Sequence, residues 1–176
     1  MKESRGSDAS IDEFALVRID DRLLHGQVRL NWMRTLFPRI VVIVDDIIAH
    51  DLGLRAALDV LVPEDVGLVV ASPEGLAERM RNDPSLDAAR TMLLLRDPAS
   101  AWRLYERGVR YVTLNLGCLG VTSERQRVSK QVALSLSEWR ILSRLAAEGV
   151  RVSLQALPTD PAVPLDRLAP RFEARS

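Results

Sequence analysis

Residues 14–28 read FALVRIDDRLLHGQV, an apolar run that passes into a charged loop and then into a second apolar pattern. The run Phe14–Ile19 has the composition of a buried strand. A helix is predicted over Gly26–Leu36, where apolar residues recur at helical spacing. A strand that leads through a short loop into a helix is the first half of a β–α–β unit. This stretch therefore predicts an α/β protein.

The same alternation continues along the chain. Short apolar runs predict six further strands: Ile40–Val44, Val66–Ala71, Thr91–Leu95, Tyr111–Leu114, Gln131–Leu134 and Val150–Leu154. Helix N-caps are predicted at Ser72, Asp97 and Ser135, and helix ends at Gly108 and Gly149. The predicted fold is a single α/β domain, with a mainly parallel central sheet of about six to seven strands and helices on both faces.

The two ends of the chain differ from this pattern. Residues 1–13 are small and polar, and they predict a flexible extension ahead of a domain at residues 14–176. The C-terminal segment carries four prolines and is predicted to run extended along the surface: Pro158, Pro161, Pro164 and Pro170.

Composition excludes several classes of function. The chain has 176 residues, with 24 Lys and Arg against 24 Asp and Glu, which argues against a broad nucleic-acid surface or a polybasic membrane anchor. A single cysteine, Cys118, excludes an internal disulfide and a cysteine-based zinc cluster. No apolar run reaches the roughly 18 residues of a membrane span, and the start has no signal-peptide pattern. We therefore expect a cytoplasmic protein.

The loop after the first predicted strand gathers groups that suit phosphate chemistry: Arg18, Asp20, Asp21, Arg22 and His25. Arginines bind phosphate oxygens through charge-assisted hydrogen bonds, and a helix that starts near Gly26 adds backbone N–H donors. Imidazole is largely neutral and nucleophilic at pH 7. The aspartates are expected to shape the loop by binding the arginines or loop N–H groups. Structural alternatives remain open, with the histidine and aspartates as caps and Arg18 on a solvated edge.

Other polar residues follow later strands. Asp45 and Asp46 end the second strand and are expected to brace the loops. With Asp20, Asp21 and His50, these residues also allow a magnesium-dependent phosphohydrolase as a weaker alternative. Ser72 is a candidate phosphate donor, although its Ser-Pro-Glu context favours a helix cap. His50 is expected to be a solvent-facing residue at a helix start.

The sequence also resembles a known protein family. The run RIDDRLLHGQV, followed by Trp32, is similar to the active-site segment of IIB proteins of the mannose/fructose/sorbose family of the bacterial sugar phosphotransferase system. Residues 40–51, 93–112, 115–117 and 145–160 also resemble segments of that family, so the resemblance covers most of the chain.

The resemblance implies a role for each residue of the loop. His25 matches a histidine that accepts a phosphoryl group at Nδ1 from a IIA phosphocarrier and passes it to a sugar held by a membrane IIC/IID permease. Arg22 and Arg18 match basic residues that stabilise the phosphoryl charge, and Asp20 and Asp21 match residues that shape the loop. The resemblance implies no metal or other cofactor, contact with the membrane only through partners, and a possible homo-oligomer.

One segment departs from the family pattern. Residues 115–119 read NLGCL where the family has Asn-x-Gly-Gly-Met, so Cys118 replaces a glycine. If that position requires a positive φ, a cysteine there is strained. The departure motivates an alternative function, a phosphorylation-dependent regulatory module without transport. The sugar is not identified by the sequence. Three tryptophans are predicted to be core residues: Trp32, Trp102 and Trp139.

Overall fold

The predicted alternation builds one central sheet in a computed structural model that describes residues 13–83 and 86–173. In chain order its strands are β1 (Leu16–Asp20), β2 (Ile40–Val44), β3 (Gly67–Ala71), β4 (Thr91–Leu95), β5 (Thr113–Cys118), β6 (Gln126–Arg127), β7 (Ala133–Leu134), β8 (Arg151–Leu154) and β9 (Val163–Pro164). Within the described residues, seven of these strands form the sheet, in the order β3-β2-β4-β1-β5-β8-β9. The predicted extension lies outside the described residues, apart from Glu13.

Helices connect most of the strands. The first helix runs from a π-helical segment (Val28–Trp32) into α1 (Met33–Leu36). The others are α2 (Asp46–His50), α3 (Leu52–Asp59), α4 (Pro73–Asn82), α5 (Pro98–Glu106), α6 (Leu136–Ala147) and α7 (Pro170–Glu173), with 3-10 turns at Ala88–Arg90 and Leu165–Leu168. No helix in the described part of the chain is long and apolar enough to cross a membrane.

The helices cover both faces of the sheet, as predicted. The first helix and α2 pack on one face, where Val28, Trp32 and Ile48 join one apolar cluster. Helices α4, α5 and α6 pack on the other face, where Leu76, Leu104 and Leu142 join a second cluster. The first six strands of the sheet pair in parallel, and β9 pairs antiparallel with β8. The predicted fold class is therefore confirmed.

The predicted strand over Gln131–Leu134 is wrong in its position. Ala133 and Leu134 do form a strand, β7, but β7 pairs antiparallel with β6 in a separate two-stranded sheet. The arginine-rich segment before it folds back as a hairpin, so the chain leaves the central sheet after β5. The seventh strand of that sheet is β9, which the sequence reading did not predict.

The predicted caps are present in the structure. Ser72 and Asp97 accept hydrogen bonds from the backbone N–H groups of Gly75 and Ser100. Ser135 forms a capping box with Glu138, each side chain accepting from the backbone N–H of the other residue. Gly108 and Gly149 both have φ +96°, the left-handed conformation that ends a helix and favours glycine.

The C-terminal segment is not an extended surface strand as predicted. After β9 it turns through a 3-10 helix into α7, and Leu165, Leu168 and Phe172 are buried in the core. The ring of Phe172 stacks on Trp139 of α6, with 4.6 Å between ring centroids. These apolar side chains recur at helical spacing, and their burial outweighs the extended preference of the prolines around them.

Phe172→Ala is expected to lower the free energy of unfolding by about 3 kcal/mol, because it removes a buried aromatic ring and leaves a cavity against α6. Urea denaturation measures the change. Val121→Ala is the control, since Val121 is 55% exposed and its truncation is expected to change stability by less than about 0.5 kcal/mol. Equal effects of the two substitutions would contradict the placement of the C-terminal segment in the core.

Candidate functional site

The charged loop lies at the carboxyl edge of the sheet, directly after its central strand. Strand β1 lies between β4 and β5. The chain leaves β1 toward the first helix on one face, whereas the connections after β4 and β5 lead to α5 and α6 on the other face. Ligands of parallel α/β sheets bind at such points, where neighbouring connections diverge. The topology therefore places residues 21–25 where an open crevice is expected.

Asp20 is the centre of the loop. Its side chain is fully buried at the end of β1. One oxygen, Oδ2, lies 3.0 Å from Arg18 Nη2 and 3.1 Å from His25 Nε2. The other oxygen, Oδ1, accepts from the backbone N–H of Arg22 at 3.2 Å and lies 3.5 Å from the Arg22 Nε. A single buried carboxylate thus joins both arginines to the histidine.

Arg18 is buried as completely as its partner. Its Nη1 donates to the side-chain oxygen of Asn115 and, at 2.9 Å, to the carbonyl of Gln155. Its Nη2 donates to Asp20 and, at 3.3 Å, to the carbonyl of Ala156. Burial lowers the pKa of the guanidinium, and the Asp20 carboxylate opposes that shift.

Gly117 makes room for this guanidinium. In the pairing of β1 with β5, Ile19 lies opposite Leu116, but the next residue, Asp20, lies opposite Cys118. Gly117 is therefore the extra residue of a β-bulge. A Cβ on Gly117 would lie 1.8 Å from Arg18 Nη2. The bulge therefore requires glycine because a buried side chain occupies the space that any other residue needs.

Trp32 covers the same group from the first helix. The Arg18 guanidinium lies 5.2 Å from the Trp32 ring centroid, within cation–π range. The indole N–H donates to the Ala156 carbonyl at 3.0 Å. Trp32 is 5% exposed, in agreement with its prediction as a core residue, whereas Trp102 and Trp139 are only partly buried.

His25 stands at the start of the first helix. Its carbonyl accepts from the backbone N–H of Arg29 at 2.9 Å, and 17% of its side chain is exposed. A carboxylate can only accept, so the contact with Asp20 requires the proton on Nε2. No hydrogen bond from the described residues occupies Nδ1. Asp20 therefore selects the tautomer whose Nδ1 lone pair is available.

Arg22 is the solvent-exposed arginine of the site. Its side chain is 48% exposed. Its Nη2 donates to Gln27 Oε1 at 3.2 Å, and its Nε makes the long contact with Asp20. The two arginines thus differ in their surroundings: four acceptors hold the buried Arg18 guanidinium, whereas the half-exposed Arg22 guanidinium makes one hydrogen bond to Gln27 and one long contact with Asp20.

This difference corrects one expectation. The sequence places both arginines on the phosphoryl group, but Arg18 is 0% exposed and behind Asp20. Its Nε has no hydrogen-bond partner among the described residues and is itself buried. The Arg18 guanidinium therefore holds the Asp20 carboxylate from the protein interior.

The turn between Asp20 and His25 has a strained residue. Leu23 adopts φ 53°, the left-handed region that costs a non-glycine residue about 1–2 kcal/mol. Its N–H donates to the Asp20 carbonyl at 2.8 Å. Leu23 and Leu24 are both buried in the cluster under the first helix. Burial of two leucines thus stabilises the sharp turn that presents His25, while Gly26 begins the helix with open space around its Cα.

Asp21 fastens the loop to the hairpin after β5. Its Oδ2 accepts from the Gly120 N–H at 2.6 Å and lies 3.9 Å from Arg125 Nη1. Arg125 is held by Glu138 of α6, whose hydrogen bonds raise the pKa of Arg125. The arginine-rich segment therefore serves as a brace for the loop, a role that the sequence did not reveal.

The sequence does not predict Arg96, which follows β4, as a residue of the site. Its Nε donates to Asp45 Oδ2, and its Nη1 donates to the Asp21 carbonyl at 3.2 Å. Asp45 also caps α2, because it accepts from the Ile48 N–H at 2.8 Å. Arg96 thus links the end of β2 to the His25 loop. A lone arginine at a strand end carries no sequence signal of such a bridge.

Asp46 faces away from the loop. Arg103 of α5 donates to Asp46 at 2.6 Å and to Glu74 of α4 at 2.6 Å. These hydrogen bonds hold the pKa values of both carboxyl groups below their usual range. Asp46 therefore links α2 to α5 and, through Arg103, to α4, and these contacts do not involve the loop of His25.

The magnesium alternative finds no support in this arrangement. Asp45 and Asp46 are bound to arginines, and β4 separates them from β1. His50 ends α2 instead of starting a helix, and its Nδ1 contacts the Asp46 carbonyl at 2.8 Å. Asp20 and Asp21 come close to Cys118, but burial raises the pKa of that thiol and so disfavours the thiolate that binds metals.

Ser72 is likewise remote from the loop. It follows β3, three strands from β1 and thus roughly 14 Å away across the sheet. Its Oγ accepts from Gly75 N–H as a helix cap. This position separates Ser72 from the loop of His25, and its prediction as a helix cap is confirmed.

The fold and the site define an α/β protein that presents a histidine in a charged loop at the switch point of a parallel sheet, with no described residue hydrogen-bonded to the histidine Nδ1. The family model described as PTS system sorbose subfamily IIB component matches residues 14–175. The chain belongs to this family, the IIB components of the mannose/fructose/sorbose group.

Individual relatives agree with this assignment. The chain is 28% identical over 158 residues to the mannose-specific EIIAB component of Escherichia coli. This alignment covers 90% of the chain but only 49% of that relative. It is 28% identical to the fructose-specific EIIB component of Bacillus subtilis, over 82% of the chain and 88% of the relative. The crystal structure of manxB from Thermoanaerobacter tengcongensis matches with a TM-score of 0.83 and 28% identity, over 91% and 96% of the two chains. The chain thus spans about half the length of the mannose-specific relative.

Gly117→Ala is expected to lower the free energy of unfolding by roughly 3 kcal/mol, because the new methyl group displaces a buried guanidinium from its carboxylate. Chemical denaturation measures this loss. Gly26→Ala is the matched control, since no atom lies within 4 Å of its Cβ position, and its stability is expected to change by less than about 0.5 kcal/mol. A Gly117 variant as stable as the control would show that Arg18 tolerates displacement.

Proposed function

We propose that the chain is a phosphocarrier of the sugar phosphotransferase system. His25 accepts a phosphoryl group on Nδ1 from a phosphohistidine of a IIA protein, and it then delivers the group to a sugar held by a membrane IIC/IID permease. The observation that carries the proposal is the contact between Asp20 and His25 Nε2, which leaves the Nδ1 lone pair available as a nucleophile. Membership in the IIB family supports the same assignment.

The first step is an in-line displacement between two imidazoles. The Nδ1 lone pair of His25 forms a bond to phosphorus while the P–N bond to the donor histidine breaks, and the donor ring keeps that electron pair. The Nε2 proton of His25 stays on the ring, where the buried Asp20 carboxylate stabilises the positive charge that develops. Delivery to the sugar reverses these roles: the sugar hydroxyl oxygen attacks phosphorus, the P–Nδ1 bond breaks, and the hydroxyl proton is released.

The phosphoryl oxygens need positive charge during both transfers. Arg22 supplies it, because its guanidinium is half-exposed and its contact with Asp20 is long. The first helix starts beside His25, so its unpaired N–H groups also face the phosphoryl group. Positioning and electrostatic stabilisation suffice for phosphoryl transfer of this kind.

The partners follow from the reaction and from the relatives. The mannose-specific relative is named as an EIIAB component and is about twice as long as the matched region. We infer that this chain meets a IIA unit, either a separate protein or a domain of the same polypeptide. A homo-oligomer stays a prediction.

Backbone strain at Cys118 does not support the regulatory alternative. Cys118 pairs with Asp20 in the sheet, and it is not among the described residues with positive φ, which are Leu23, Phe37, Gly108 and Gly149. The position of the replaced glycine is therefore ordinary strand backbone that cysteine adopts without strain. The functional glycine of this turn is Gly117, and it is present.

His25→Ala is expected to abolish phosphorylation. Incubation with phosphoenolpyruvate, the general phosphotransferase proteins and a IIA protein is expected to add one acid-labile phosphate to the wild-type chain, detected by intact-mass spectrometry. His50→Ala is the matched control, because His50 is the other histidine of the chain and is exposed on α2. Equal labelling of wild type and His25→Ala would rule the phosphocarrier proposal out.

Arg22→Lys is expected to slow phosphoryl transfer by about tenfold or more while phosphate acceptance remains detectable, because lysine keeps the charge but loses the bidentate fork. Rapid-quench measurement of the transfer rate tests this. Arg127→Lys, on an exposed arginine of β6, is the control and is expected to leave the rate unchanged. A wild-type rate for the Arg22 variant would remove this residue from the charge-stabilising role.

A further inference from the structure

A cavity lies away from the His25 site, along the first helix and at the amino end of the sheet. Its volume is about 540 Å³, within the size range of small-molecule sites. The first helix forms one wall, and the segments that precede β2, β3 and β4 form the rest. The proposed phosphocarrier function assigns no role to this groove.

Arginines dominate the charge of the groove. Arg29 and Arg34 extend from the first helix, whereas Arg39 and Arg90 precede β2 and β4. All four are exposed. None of their side chains makes a hydrogen bond or an ion pair with a described residue, in contrast to the arginines around His25. The groove contains one acidic residue, Asp65, so positive charge is in excess.

Two of these arginines are held side by side by the backbone. Ile40 pairs with Thr91 across β2 and β4, so Arg39 and Arg90 stand at the same level on neighbouring strands. The Arg39 N–H donates to the Arg90 carbonyl at 2.8 Å, which fixes their relative position. Adjacent strands are about 4.8 Å apart. Both side chains therefore leave the sheet edge from neighbouring backbone positions and line the same groove. Guanidinium groups on one wall can bind phosphates of a single polyphosphate chain through charge-assisted hydrogen bonds.

The rest of the groove is apolar and carries an exposed ring. Leu30, Met33 and Val66 line it. Phe37 ends the first helix with φ 48° and is 72% exposed, an unusual combination for a large apolar residue. The left-handed conformation turns the chain at this point and places the ring at the groove. An exposed aromatic face suits stacking of a planar ring.

We propose that this groove binds a nucleoside polyphosphate. The phosphates lie against Arg39 and Arg90, with Arg29 and Arg34 adding charge along the helix, and the base stacks on Phe37. Asp65 accepts a hydrogen bond from a hydroxyl or amino group of the ligand. The combination of several unpaired arginines, an exposed ring and a single acceptor favours this class over a simple inorganic anion, which would leave the apolar wall without a partner.

Isothermal titration calorimetry of the full chain with ATP tests the proposal. We expect one site with a Kd at or below about 1 mM, weakened at high salt. Arg39→Ala and Arg90→Ala are each expected to weaken binding by about tenfold or more, because each removes charge-assisted hydrogen bonds. Arg140→Ala is the control, since Arg140 is exposed on α6, on the opposite face of the sheet.

The ring contact is tested separately. Inorganic triphosphate is expected to bind at least tenfold more weakly than ATP, and Phe37→Ala is expected to remove most of that difference. Equal affinities for ATP and triphosphate, equal affinities of the Arg39 and Arg140 variants, or no heat of binding with ATP would each overturn the proposal. Phosphorylation of His25 is measured in parallel, so failure here is distinguishable from failure of the phosphocarrier function.

Discussion

The buried ion pair between Arg18 and Asp20 is the interaction on which the rest of the site depends. Removing two charges from water costs several kcal/mol per ion, and their attraction offsets this cost only with good geometry and additional hydrogen bonds. Such bonds satisfy both Nη atoms of Arg18, whereas its Nε has no partner among the described residues. Here the partners come from distant parts of the chain: Asn115 on β5, and the carbonyls of Gln155 and Ala156 after β8. The pair therefore aligns the carboxyl ends of three neighbouring strands.

The same carboxylate that neutralises Arg18 also sets the tautomer of His25. The buried ion pair and the histidine thus meet at one atom, because Asp20 Oδ2 contacts both Arg18 Nη2 and His25 Nε2. The bulge at Gly117 belongs to this arrangement, since it supplies the space for the guanidinium. Leu23 and Leu24 act from the other side, where their burial holds the turn in a conformation that leucine otherwise disfavours.

Local sequence signals predicted the local features of this structure. Apolar runs gave the parallel strands, and Ser72, Asp97 and Ser135 cap the helices as their side-chain chemistry indicates. Contacts between distant segments could not be predicted in this way. Arg18 alternates with apolar residues and reads as a solvated strand position, and nothing in the sequence around Arg96 indicates its bridge to Asp45. The burial of Phe172 was obscured because prolines before it favour an extended chain.

A net charge of zero conceals two different arrangements of arginine. Around His25 each arginine already meets a carboxylate, so under the proposed function Arg22 would exchange Asp20 for the incoming phosphoryl group. This exchange makes attraction local and reversible, which suits a group that has to be passed on. The four arginines at the amino end of the sheet make no side-chain hydrogen bond or ion pair with a described residue, so the proposed anion would bind there without displacing an internal partner. The first helix connects the two places, since His25 starts it and Phe37 follows its last turn. We therefore infer that charge pairing, rather than total charge, distinguishes the proposed transfer site from the proposed anion-binding groove.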